Sequence, residues 1–151
     1  MIHMRQATLN DADALFYWRN DPVTCANSKS TAAVPREDHD RWMQFNVTQG
    51  YPSHLVLMAE SDIGCIGVVR FDATRGDVMT YEASITVAPR ARGHGLAKEI
   101  LTRACGYMAD YTLDAVIRVD NIPSRRAFEA CGFEEVEIDH HFIKYRRDPV
   151  T

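Results

Sequence analysis

A chain of 151 residues, 46% hydrophobic and 25% charged, is long enough to bury one core and is expected to form a single domain over 1–151. Its formal net charge of −4 speaks against a nucleic-acid partner, which would call for a basic surface. Cys25, Cys65, Cys105 and Cys131 are widely spaced, and His94, His140 and His141 lack ligand spacing, so neither a disulfide framework nor a metal is expected. With no apolar signal core near Met1 and no stretch long enough for a membrane span, the reading is a soluble, cytoplasmic protein.

Residues 2–8 read as a short strand. Asn10 is placed to cap a helix that runs to about Arg19, with Ala14, Leu15 and Trp18 at helical spacing, and Asp21-Pro22 breaks it. Pro35 opens a second helix, with Trp42 and Phe45 on one side, ending near Gly50. Residues 54–60, 64–72 and 78–87 read as three strands of a meander, turning at Ser61-Asp62 and at Arg75-Gly76-Asp77. A long helix follows, with Leu96, Ile100, Ala104 and Tyr107 on one stripe. Residues 114–119 form a strand, 122–131 a helix ending at Cys131-Gly132, and two more strands close the chain. The order predicts an α/β fold. The last strand, Phe142–Arg146, alternates and is read as a sheet edge able to pair with a second copy in a homodimer.

Two stretches carry chemistry. Val87-Ala88-Pro89-Arg90-Ala91-Arg92-Gly93-His94-Gly95-Leu96-Ala97 joins a strand to a helix through two glycines. Glycines there leave backbone N–H groups uncovered, and the helix dipole adds partial positive charge, which suits a phosphate or pyrophosphate. The spacing lacks the Lys-Ser/Thr of a P-loop and the third glycine of a dinucleotide fold. A cluster of Arg90, Arg92, Arg125 and Arg126 in an acidic chain points to a small anionic ligand. The strand before the loop puts Met79, Tyr81, Ala83, Ile85 and Val87 on one face and Thr80, Glu82, Ser84 and Thr86 on the other. Glu82 is then either part of a solvated face or a general base lining a cleft.

Arg90-x-x-Gly93-x-Gly95, with Asn121 preceding a short helix that ends in Gly132-Phe133, resembles the GNAT acetyltransferase superfamily over nearly the whole chain. The resemblance implies a mostly antiparallel mixed sheet, flanked by helices and splayed at a cleft for acetyl-CoA. It places the pyrophosphate on the backbone of Arg92, Gly93, His94, Gly95, Leu96 and Ala97, and the pantetheine arm along Ile85, Thr86 and Val87. Asn121 would hold the arm by its amide, or serve only as a helix cap. Arg125 and Arg126 would reach the phosphates or lie on a solvated helix face. Glu82 stands at the position of the family's base. Many members carry a Tyr seven residues after the Asn to protonate the departing thiolate; Phe128 stands there and has no proton to give. Members related to the ribosomal-protein acetyltransferases place a Ser three residues after the Asn, so Ser124 is the candidate donor, or else a helix-start residue bonding to backbone.

Trp18-Arg19-Asn20-Asp21-Pro22, Asn27-Ser28, His39-x-x-Trp42 and Arg70-Phe71-Asp72 resemble the branch that acetylates amino sugars on a nucleotide in the pseudaminic-acid pathway. Arg19, Asn20, Arg70 and Asp72 are the substrate-binding candidates, with Arg70 and Asp72 sharing a strand face as sugar contacts or as an ion pair. Trp18 and Trp42 would stack on a ring or, more commonly for their spacing, fill the core. The acceptor is thus read as a small-molecule amine. A protein N-terminal amine is the alternative, and a module that binds acyl-CoA without turnover is a third reading.

Overall fold

The computed structural model describes residues 1–74 and 79–150. Seven strands form one sheet: β1 (His3–Gln6), β2 (His54–Ser61), β3 (Gly64–Ala73), β4 (Thr80–Val87), β5 (Thr112–Arg118), β6 (Glu134–Ile138) and β7 (Phe142–Arg147). Their order is β1-β2-β3-β4-β5-β7-β6, with β4 and β5 parallel and every other neighbouring pair antiparallel. The helices are α1 (Ala12–Asn20), α2 (Pro22–Asn27), α3 (Arg36–Met43), α4 (Leu96–Gly106) and α5 (Ile122–Ala130). This is the mixed, mostly antiparallel α/β architecture that the pattern and the resemblance predicted.

Strand period sets the two faces. Leu57, Val69, Phe71, Tyr81, Ala83, Leu113 and Ala115 lie on one face, all buried, with Ile100, Leu101 and Ala104 of α4 packed into the same core. The other face carries Val56, Met58 and Val68 toward α1 and α3, whose Leu15, Trp18 and Met43 are buried. Trp18 is therefore core, and Trp42 packs partly buried against it.

Several expected boundaries move, each for a local reason. The helix does not begin at Asn10. Thr8 caps a single 3-10 turn, Leu9–Asp11, in a reciprocal box in which the Asp11 carboxylate accepts the Thr8 N–H at 2.8 Å. Asp21-Pro22 ends one helix and starts another: the Asp21 carboxylate accepts from Val23 and Thr24, and Pro22 sits in the first turn of α2. Tyr107 and Phe45 are exposed rather than on core stripes, because α4 ends at Gly106 and α3 runs on into a wider π turn, Gln44–Thr48. Phe142–Arg146 is no edge, since β7 lies between β5 and β6. The edge at that end of the sheet is β6, exposed at every residue and bearing Glu134, Glu135 and Glu137, a row of like charge that opposes strand pairing. The turn expected at Arg75-Gly76-Asp77, and Val78 at the head of its strand, lie outside the described residues.

Candidate active site

The parallel pairing of β4 with β5 lasts only three residues: Thr80 opposite Thr112, Tyr81 opposite Leu113, Glu82 opposite Asp114. Beyond it β4 stays with β3 as far as Val87, and β5 stays with β7 as far as Arg118. A wedge opens between them with Glu82 and Asp114 at its apex. Backbone direction follows from two bonds. Thr112 N–H donates to the Met79 carbonyl at 2.9 Å, and Ala88 N–H donates to the Ile66 carbonyl at 2.8 Å. Odd-numbered residues of β4 thus turn their peptide groups toward β5, so Ala83, Ile85 and Val87 present backbone to the wedge.

The mouth of the wedge is the loop into α4. After a 3-10 turn at Pro89–Ala91, Gly93 and Gly95 adopt left-handed backbone, φ 81° and 68°. A Cβ at either would meet nothing within 4 Å, so glycine is needed for conformation and the space before the loop is open. Gly95 caps α4 with no side-chain hydrogen bond, leaving the first amides of an 11-residue helix facing that space. The open wedge, its free peptide edge and this mouth are a fit for an extended ligand ending in pyrophosphate.

Three of the four clustered arginines, Arg90, Arg92 and Arg125, are engaged with protein groups. Arg90 donates to the carbonyls of Ile63 and Cys65, at 3.1 and 2.7 Å. Arg92 bonds Asp21 and Thr24, both at 2.8 Å, tying the loop to α2, and its guanidinium holds the Asp21 carboxyl below the usual carboxylate range. Arg125 donates to Val119 O at 2.7 Å and to the Tyr145 hydroxyl at 3.3 Å. Arg126 is exposed on α5. The groups left that could hold an anion are the backbone amides of Arg92 to Ala97. Across the wedge, the Asn121 side-chain oxygen accepts the Ser124 N–H at 3.4 Å and caps α5. Phe128 is buried edge-to-face against Phe133, with centroids 4.9 Å apart.

At the apex the groups are side chains on one sheet face. Register aligns His54, Asp72, Glu82, Asp114 and Arg146 across five strands. Asp72 bonds His54 Nδ1 at 2.7 Å and Arg70 at 3.0 Å, and the Arg70 guanidinium lies over the Trp42 ring at 5.2 Å. Asp114 is buried and takes both arms of Arg146, at 2.7 and 3.0 Å. Glu82 Oε2 pairs with Lys29 Nζ at 2.7 Å. Lys29 belongs to the strap between α2 and α3, residues 28–35. Arg118 donates to the carbonyls of Ser28 and Lys29, at 2.9 and 3.3 Å, and Arg19 to that of Ser30 at 3.0 Å. Asn20 bonds Val34 at both backbone groups, 3.1 and 2.6 Å. Arg19 and Asn20, expected to touch the acceptor, are engaged in positioning this strap instead. Sequence reasoning missed Lys29, His54, Asp114, Arg118 and Arg146. Cross-strand register and strap docking bring them in, and neither leaves a local motif.

Among the described residues no three His, Cys, Asp or Glu groups converge as a metal site, and no helix is long and apolar enough to cross a membrane.

Residues 2–134 match the family described as an acetyltransferase (GNAT) domain. A sequence search of curated proteins finds no match. The fold is similar to spermidine N-acetyltransferase from Vibrio cholerae in complex with CoA and spermine, at 16% identity and TM-score 0.81, covering 96% of this chain and 93% of that one. It is also similar to an N-acetyltransferase from Staphylococcus aureus, at 21% identity and TM-score 0.80 with 98% of each chain covered. A phosphinothricin acetyltransferase from Sinorhizobium meliloti in complex with AcCoA aligns at 19% identity and TM-score 0.79, over 97% of this chain and 87% of that one.

Proposed function

The chain belongs to the GNAT acetyltransferases and takes its acetyl group from acetyl-CoA, and from that premise we propose that it acetylates the primary amine of a small molecule with Glu82 as the base. The observation that carries this reading is the position of Glu82 at the apex of the wedge, with a cation already held 2.7 Å from its carboxylate. An acceptor ammonium fits the same place.

In this reading the donor lies along the wedge. Backbone of Arg92, Gly93, His94, Gly95, Leu96 and Ala97 holds the pyrophosphate, the free edge at Ile85 and Val87 pairs with the arm while the Thr86 backbone faces β3, and the Asn121 amide nitrogen steadies it. Val87 lies five residue steps along the strand from Glu82, roughly 16 Å of reach from mouth to apex. Glu82 takes a proton from the ammonium, directly or through a water. The freed amine attacks the thioester carbonyl, whose oxygen is polarised by strand N–H, and the C–S bond breaks. Ser124 is the hydrogen-bond donor to the departing thiolate, because Phe128 is buried and carries no hydroxyl.

A small acceptor is favoured over a peptide because the strap crosses the apex and is fixed there by Arg19, Asn20 and Arg118. Arg70 and Asp72, on the same face and beneath Trp42, are the polar groups for its scaffold. A nucleotide-linked amino sugar is the first acceptor to assay, on the strength of the Trp18–Pro22 run. The relatives bound to spermine or acting on phosphinothricin make polyamines and amino acids the next arms. The test is thiol release from acetyl-CoA with each acceptor, an N-terminal peptide, or none. The reading expects release with a small amine. CoA binding without release for any acceptor overturns it, and release with the peptide alone replaces it.

A further inference from the structure

Lys29 stands where the acceptor amine must stand, and the pair alone does not explain why. Its side chain is more than half exposed, and an exposed ion pair contributes about 0–1 kcal/mol. The strap brings it there: Arg118, Arg19 and Asn20 fix the backbone on both sides of Lys29 through Ser28, Ser30 and Val34. A tethered amine at the apex competes at high effective concentration with any amine arriving from solution.

We infer that Lys29 is an internal acceptor, acetylated by its own active site when acetyl-CoA is bound and no amine substrate displaces it. The inference rests on the assignment of Glu82 as base. The Nζ ammonium gives one proton to Glu82, and its lone pair attacks the thioester carbonyl carbon. The new N–C bond forms and the C–S bond breaks. The leaving thiolate takes up one proton while the nitrogen loses its second, so one acetyl group moves to Lys29 and one proton is released overall. Acetylation removes the positive charge and leaves Glu82 without its partner, which opens the apex to a cationic substrate.

The chain has three lysines, Lys29, Lys98 and Lys144, so the site of modification is easily read. Lys98 is exposed at the mouth of the wedge and reports random chemical acetylation. The experiment incubates the full chain with acetyl-CoA and no acceptor, then follows each lysine-containing peptide by mass spectrometry at two protein concentrations. Wild type, Lys29→Arg and Glu82→Gln are compared, with CoA binding as the check that each is folded. The expected result is one acetyl group on Lys29 at a rate unchanged by dilution, none on Lys29→Arg, and labelling at least about tenfold slower in Glu82→Gln. Label shared with Lys98, slowed by dilution, undiminished in Glu82→Gln, or absent from Lys29 overturns the inference. Amine turnover on the same proteins separates the two ideas. Turnover that depends on Glu82 with Lys29 unlabelled sinks only the internal acceptor, whereas full turnover by Glu82→Gln removes the base and the internal acceptor together.

Discussion

At the mouth of the wedge the groups proposed to bind are backbone: the amides opening α4, two left-handed glycines and the free edge of β4. At the apex they are side chains drawn from separate elements, with Glu82 from β4, Lys29 from the strap, Asp114 from β5 and His54 and Asp72 from β2 and β3. A backbone site depends on conformation and tolerates change in neighbouring side chains. A side-chain site depends on register and on what holds each partner in place. Arg92 ties the loop to the helix that leads into the strap, since its backbone belongs to the loop while its guanidinium grips Asp21, the cap of α2, and Thr24 within it.

This contrast predicts that substitutions will separate donor binding from acceptor chemistry. Glu82→Gln should lower kcat for an amine acceptor by roughly 10²–10⁴-fold while calorimetry shows CoA affinity unchanged, the range general bases supply. Equal losses in both would erase the distinction. Asn20→Ala removes the two bonds to Val34 and one to Phe16, costing about 1–3 kcal/mol and loosening the strap. It should raise KM for the amine and leave KM for acetyl-CoA as it was, measured by varying one substrate at a time. Gly95→Ala has room for its methyl but forces a left-handed residue, a strain of roughly 1–2 kcal/mol. Here the KM for acetyl-CoA should rise several-fold with the amine KM little changed, the reverse of Asn20→Ala.

The smallest effect concerns the packing behind the apex. His39 is buried between Phe16 and Trp42 with Nδ1 unpartnered, and burial lowers its pKa. Above its ordinary value near 6.5 the ring is neutral in folded and unfolded chains alike. Below that value the unfolded chain takes up a proton that the folded chain resists, so stability falls as the pH falls, by at most about 1.4 kcal/mol per pH unit. Urea midpoints from pH 7.5 to 5.5 should show this slope in the wild type and a flatter one in His39→Phe.

The same contrast explains what was legible in the sequence. The mouth was readable because left-handed backbone demands glycine at fixed spacing, so Gly93 and Gly95 mark it. The strand carrying Glu82 was readable from its alternation. The apex was not, because the row from His54 to Arg146 exists only once five strands take their register, and sequence period does not encode which strand pairs with which. Arg19 and Asn20 were singled out as polar residues closing a helix, and both bond to the strap. Among their partners are backbone groups of the strap, 11 to 14 residues away, a connection that helix position alone does not reveal. The arginines misled for a related reason: charge composition cannot distinguish an arginine that binds an anion from one that ties down carbonyls, as Arg90 does. β7 read as an edge because alternation alone does not reveal a strand on each side.

If acetyl-CoA occupies the wedge between β4 and β5, amide hydrogen exchange with and without CoA reports it. Exchange should slow in peptides covering Ile85–Val87 and Arg92–Ala97 and stay unchanged around the separate cavity of about 380 Å³ lined by Tyr51, Tyr107 and Tyr111. Protection confined to that cavity, with none along β4 or the loop into α4, would place CoA outside the wedge.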